Sequence, residues 1–185
     1  MTSIGGRVEV VALARQPAFI DAWNPGGEPM PAVGAGADRL LTVAGDTADA
    51  GHVRQAVDLT METFGRLDNV VVNAGFSLPG TLADHSPEYM RSMVLTNVLG
   101  PALVVQAVLP HLRRTGGRLV LVGSVAGVKN TPGNLYSVTK WALHALAENT
   151  RLMVTGDGVG VTLVAPGMVD TPSGTTAAAA PAPRS

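Results

Sequence analysis

Four short stretches, 39–44 (RLLTVA), 67–72 (LDNVVV), 118–122 (RLVLV) and 160–164 (GVTLV), are apolar almost without interruption. That is the pattern of strands buried on both faces of a parallel sheet, not of strands with one wet face. The segments between them repeat apolar residues at helical spacing. Residues 50–64 place Val53, Ala56, Val57 and Met61 on one face, and 87–114 and 136–154 follow the same period. Strand and helix alternate, which predicts an α/β protein with right-handed crossovers.

Helix ends are legible too. Ser86, Pro87 and Glu88 supply an N-cap, a first-turn proline and an acid near the positive helix end, and Gly116 with Gly117 closes that helix. Residues 24–37 (NPGGEPMPAVGAGA) hold too much glycine and proline for a helix. Residues 173–185 (SGTTAAAAPAPRS) are of low complexity and are expected to form a disordered tail. The expected organisation is one domain over 1–172 followed by that tail.

Composition narrows the partners. Of 185 residues, 46% are hydrophobic and 15% charged, far from a disordered chain. Thirteen Lys and Arg against fourteen Asp and Glu leave a net charge of -1, so nucleic acid is not an expected partner. There is no cysteine, which excludes disulfides and thiolate metal sites. His52, His85, His111 and His144 lie 33, 26 and 33 residues apart, unlike a metal-ligand pattern, and no metal is expected. His111 is expected on the surface near a helix C-terminus, and Met90, Met93 and Met153 as core filling. The early apolar run at 10–14 is too short for a signal segment or a bilayer span. The expectation is a cytoplasmic protein without a membrane partner.

Chemistry concentrates in the second half of the chain. Ser124 follows the strand at 118–122, and Tyr136 and Lys140 stand twelve and sixteen residues further on in Y-S-V-T-K. Four residues apart, Tyr136 and Lys140 share one helix face. A tyrosine hydroxyl is a poor acid at neutral pH, and a nearby ammonium favours its ionised form. Such a pair can donate a proton to a carbonyl, although the same spacing also suits a solvated helix face. Ser124 can orient a carbonyl oxygen or cap a helix. Asn97 stands in an apolar helix and needs a partner for its amide. Gly75 lets a backbone approach a ligand at the carboxyl end of a strand, or simply forms a turn.

Together these residues resemble the short-chain dehydrogenases/reductases, NAD(P)-dependent enzymes with a Rossmann-type sheet. Val72-Asn73-Ala74-Gly75 resembles the family's N-A-G turn after its fourth strand. Asn97 in T-N-V-L-G-P resembles the helix asparagine of its proton relay, and Ser124, Tyr136 and Lys140 resemble the rest of its catalytic tetrad. Pro166, Gly167 and Thr171 in P-G-M-V-D-T resemble the loop that holds the nicotinamide. Asp46 resembles the acid beside the adenine, and reads equally well, with Asp49, as a cap of the helix that begins near Ala50.

The resemblance runs from about residue 39 to residue 172 and implies a Rossmann-type three-layer sandwich with a mostly parallel sheet. It implies an NAD(P)(H)-dependent oxidoreductase that interconverts a secondary alcohol and a ketone by hydride transfer, with a small-molecule carbonyl or alcohol substrate. Tyr136 and Lys140 would contact the cofactor as well as the substrate. The helices at 96–114 and 136–154 are apolar on more than one face, with Leu99, Leu103, Trp141 and Leu146 among the residues outside a single stripe. A helix apolar nearly all round is usually buried all round, so a homodimer or homotetramer is expected through these helices.

The beginning of the chain departs from the family pattern, which opens with a strand and a T-G-x-x-x-G-I-G loop. Here Ser3-Ile4-Gly5-Gly6 resembles only the end of that loop, with Ile4 its cofactor contact. This register makes 7–16 (RVEVVALARQ) the first helix and 18–23 the second strand, with the first strand, most of the glycine-rich loop and the lid beyond Thr171 missing. The β-branched run at 8–11 suits a strand as well as a helix and could fill the empty central position. A second functional reading follows, a truncated non-catalytic remnant acting at most as an association module. Asn24 is neither an acid nor a base that sorts NAD from NADP, and Arg15 leans the choice towards NADP.

Overall fold

A computed structural model of the chain describes residues 10–14, 33–36 and 40–168. Strands β1 (Val10–Ala14), β2 (Val33–Gly36) and β3 (Leu40–Ala44) form one sheet in the order β1-β3-β2. Strands β4 (Asn69–Val72), β5 (Arg118–Val122) and β6 (Gly160–Val164) form a second, all-parallel sheet in the order β4-β5-β6. Helix α1 (Ala50–Phe64) links the two sheets, α2 (Pro87–Val94) and α3 (Gly100–Thr115) join β4 to β5, and α4 (Leu135–Val154) joins β5 to β6.

The expectation of a helix at 7–16 is corrected by β1, which runs parallel to β3 from Val10 opposite Leu40 to Ala14 opposite Ala44. The sequence VVALA, with its two valines, has strand composition. A short strand also emerges inside the Gly- and Pro-rich stretch, where β2 pairs antiparallel with β3. The expected strand at 18–23, with Ile4, Arg15, Asn24, Thr171 and the tail, lies outside the described residues.

Packing in the second sheet follows the pleat. Leu119 and Leu121 of β5 are fully buried and join Val105, Val108 and Leu112 of α3 and Leu143 and Ala147 of α4 in one core cluster. The residues that alternate with this set are less covered. Val71 of β4 is 64% exposed. Met93 is wholly buried as expected, but Met153 lies exposed on α4, because its side of the helix turns away from the sheet.

The helix ends match their chemistry. Asp49 caps α1 by accepting the Gly51 and His52 amides at 2.7 and 2.9 Å, and these bonds hold its carboxyl below the usual carboxylate range. Gly65 ends α1 and Gly116 ends α3, both in the left-handed conformation that glycine tolerates. His111 is half-buried near the end of α3, with Nδ1 3.1 Å from an Arg114 guanidinium nitrogen.

Between α2 and α3 the helix widens into a π-turn over Leu95–Leu99. Pro101 has no amide hydrogen for the Asn97 carbonyl four residues earlier, and its ring crowds that carbonyl, which accounts for the widening. The continuous helical stretch Pro87–Thr115 is long and apolar enough to cross a membrane by length and composition. It packs here against α1, α4 and the second sheet.

Candidate active site

The carboxyl ends of β4, β5 and β6 open on a cavity of about 330 Å³ lined by Asn73, Gly75, Ser124, Tyr136, Lys140 and Gly167, among others. These residues reach it from several local devices. Ser124 follows β5 and caps a tight 3-10 turn, Val125–Gly127, by accepting the Ala126 amide at 3.1 Å. Its hydroxyl proton is left for another acceptor. Tyr136 and Lys140 lie one turn apart at the start of α4, which Asn134 caps by accepting the Ser137 amide at 2.8 Å. The Ser137 hydroxyl donates to the Ala126 carbonyl at 2.7 Å and so fastens the Ser124 turn to α4.

Lys140 is only 5% exposed, and its Nζ donates to the Val122 carbonyl at 2.9 Å. The ammonium stands 5.5 Å from the centre of the Tyr136 ring. Burial pushes its pKa below the ordinary lysine value, because the charged form has lost water. Asn97 does not reach the cavity wall. It is 1% exposed in the π-turn, where Oδ1 accepts the Phe76 amide at 3.0 Å and Nδ2 donates to the Phe76 carbonyl at 2.9 Å and to Thr139 Oγ1 at 3.1 Å. Both amide protons of its side chain are therefore in use.

Pro166 and Gly167 reach the cavity from the loop after β6, which the Val125 amide holds by donating to the Pro166 carbonyl at 3.0 Å. Ala74 is in the turn but not among the lining residues, and Asp46 stands apart, after β3, where its carboxylate accepts the Ala48 amide at 2.9 Å. Phe76, Ser77, Val122 and Gly123 also line the cavity without having been singled out in the sequence. His144, expected to have no metal role, packs beside the site. A Cβ on Gly123 would lie 2.9 Å from its Nε2 and one on Gly127 2.7 Å away, so the imidazole edge is wedged against both glycines that bracket Ser124. The only signal in the sequence was the Gly-Ser-Val-Ala-Gly spacing itself.

A Rossmann-like sheet with Ser, Tyr and Lys gathered at its carboxyl end defines the class of protein. The sequence profile of the short chain dehydrogenases matches residues 10–181, and the chain belongs to that family. It is 38% identical over 141 residues to 2-(R)-hydroxypropyl-CoM dehydrogenase of Xanthobacter autotrophicus, covering 74% of this chain and 56% of that protein. It is 34% identical over 132 residues to an uncharacterized oxidoreductase of Staphylococcus epidermidis, covering 70% of this chain and 57% of that one. Among solved structures it is similar to ElxO with NADP bound, with a TM-score of 0.70 and 29% identity over 74% of this chain and 56% of that one. The chain thus spans a little over half the length of the relatives it matches.

Proposed function

We propose that the chain carries the proton-transfer site of an NAD(P)(H)-dependent oxidoreductase that interconverts a secondary alcohol and a ketone. The observation that carries this reading is the shared cavity of Ser124, Tyr136 and Lys140 beside Gly75. The nicotinamide end of the cofactor suits the residues present. Gly75 lines the cavity without a side chain, at a place where a Cβ would crowd Asn97 Oδ1 at 3.2 Å, and Asn73, Gly75, Lys140, Pro166, Gly167 and Thr171 would hold the group there. Asp46 would contact its adenine. When bound, NAD(P) supplies the hydride acceptor or donor. Arg15 leans the choice towards NADP, the cofactor carried by the ElxO neighbour.

In the reducing direction, Tyr136 would give its hydroxyl proton to the substrate oxygen. Ser124 would donate its hydroxyl proton in a hydrogen bond to the same oxygen and orient it. Lys140, 5.5 Å from the centre of the tyrosine ring, would favour the ionised tyrosine when charged. Asn97, buried behind Phe76, would order a relay water. A homodimer or homotetramer is part of the reading, supported by an apolar stripe of Val138 and Trp141 that α4 leaves exposed.

The test is a fluorescence titration with NADPH and NADH, followed by turnover with a panel of small ketones. Saturable binding and turnover are expected, and Tyr136→Phe should abolish turnover while leaving cofactor affinity within about twofold, since it removes a proton donor and little packing. Failure to bind either cofactor overturns the reading in favour of a non-catalytic remnant.

A further inference from the structure

We propose that Thr139 is a positioning residue of this site, its hydroxyl completing a hydrogen-bonded clamp that ties the 73–77 turn to the helical turn carrying Tyr136 and Lys140. The clamp runs from Phe76 through Asn97 to Thr139 and ends on the backbone of Tyr136, whose carbonyl accepts the Thr139 hydroxyl at 2.8 Å. Its directions are fixed by chemistry. The Phe76 amide can only donate and its carbonyl can only accept, so the Asn97 side chain has one permitted orientation. That orientation leaves the second Nδ2 proton in need of an acceptor, in a place where Asn97 and Thr139 are each 1% exposed. The Thr139 proton is committed to the Tyr136 carbonyl, which cannot donate. Its lone pair therefore faces Asn97, and the set closes with each proton placed.

Three chain segments meet at this clamp: the turn after β4, the π-turn and the first turns of α4. The hydroxyl, not the methyl, makes the connection, so valine keeps the shape and removes the acceptor. A buried Nδ2 proton without an acceptor drives Asn97 to rotate, which frees Phe76 and the turn that forms one wall of the cavity. The consequence for catalysis rests on the oxidoreductase reading, whereas the clamp itself does not.

The experiment measures residue-resolved amide exchange and, where the wild type turns over, steady-state kinetics for the full chain and its Thr139→Val and Thr139→Ser variants. Valine should speed exchange at the Phe76 amide at least tenfold while the amides of residues 143–154 keep their protection. It should lower kcat on the order of 10- to 100-fold with a smaller change in cofactor KM. Serine should restore both. Wild-type exchange at Phe76 in the valine variant, or a serine variant as impaired as valine, overturns the proposal, as does an unchanged kcat in an active enzyme. Should the valine variant not fold, Thr139→Ala replaces it, and equal exchange at Phe76 in the alanine and serine variants overturns the proposal. A wild-type chain without turnover counts against the oxidoreductase reading alone, because exchange at Phe76 reports the clamp without cofactor or substrate.

Discussion

Gly75→Ala separates the stability of the fold from the work of the site. Gly75 is not among the glycines with positive φ, so alanine meets no backbone strain there. Its Cβ would stand 3.2 Å from Asn97 Oδ1, which must give by a few tenths of an ångström, and 3.5 Å from Lys140 Nζ, an ordinary contact. Restricting the unfolded chain stabilises by about 0.4–1 kcal/mol. Against this stands partial loss of the Asn97 hydrogen bonds, each contributing roughly 0.5–1.5 kcal/mol. The two effects offset, and the variant should unfold within about 1 kcal/mol of the wild type. Binding has no such compensation. The methyl group fills the close approach that the turn offers a ligand beside Lys140, so cofactor affinity should fall tenfold or more, roughly 1.4 kcal/mol. Denaturant unfolding and NADPH fluorescence titration on the same two proteins check both halves. Undiminished affinity, or a stability loss beyond about 2 kcal/mol, would refute the reasoning.

Lys140→Met should leave stability at neutral pH within about 1 kcal/mol, because the lost charged hydrogen bond is offset by relief of a buried ammonium. Burial lowers the Lys140 pKa in the folded state, so between that value and the free value of 10.5 the unfolded chain binds more protons and wild-type stability should rise with pH. Denaturation at pH 7 and pH 10 should show this rise reduced in the methionine variant, and an equal rise in both proteins would contradict the sign. Trp141→Glu places a carboxylate on the exposed stripe of α4, where Trp141 is 45% exposed, and should turn an oligomer into monomers in sedimentation without loss of helix content. Leu146 is the wrong position for that test, since it packs against the core cluster.

The elements that packing decides were legible. Helix α1 occurs at Ala50–Phe64, and β5 and β6 at Arg118–Val122 and Gly160–Val164, where apolar period and turn residues agree. The first forty residues were not legible by the same means. At 7–16 the motif spacing argued for a helix while the composition argued for a strand, and the ladder with Leu40–Ala44 decided for the strand. Hydrogen-bond partners distant in sequence decided it, and periodicity carries no trace of them. The Tyr136 and Lys140 pair was readable because one helix turn fixes it. The partners of Asn97 lie 21 and 42 residues away, so only the need for partners could be read, not their identity.

This difference follows the physical division of the chain. Phe76, Asn97, Ser124, Tyr136, Thr139 and Lys140 all belong to the unit built on β4, β5 and β6, and one core cluster from Val57 to Val159 supports it. No ladder joins β3 or β1 to β4 among the described residues. The proposed proton-transfer residues are therefore held by contacts inside one unit, in which the buried clamp and the Ser124 turn both fasten to α4. Asp46, on the far side of α1 from β4 in sequence, answers to the other sheet. Perturbations of β1 or β3 should thus act on cofactor affinity before they act on the proton step, whereas perturbations of α4 act on both, because its first turn holds Tyr136 and the ammonium together.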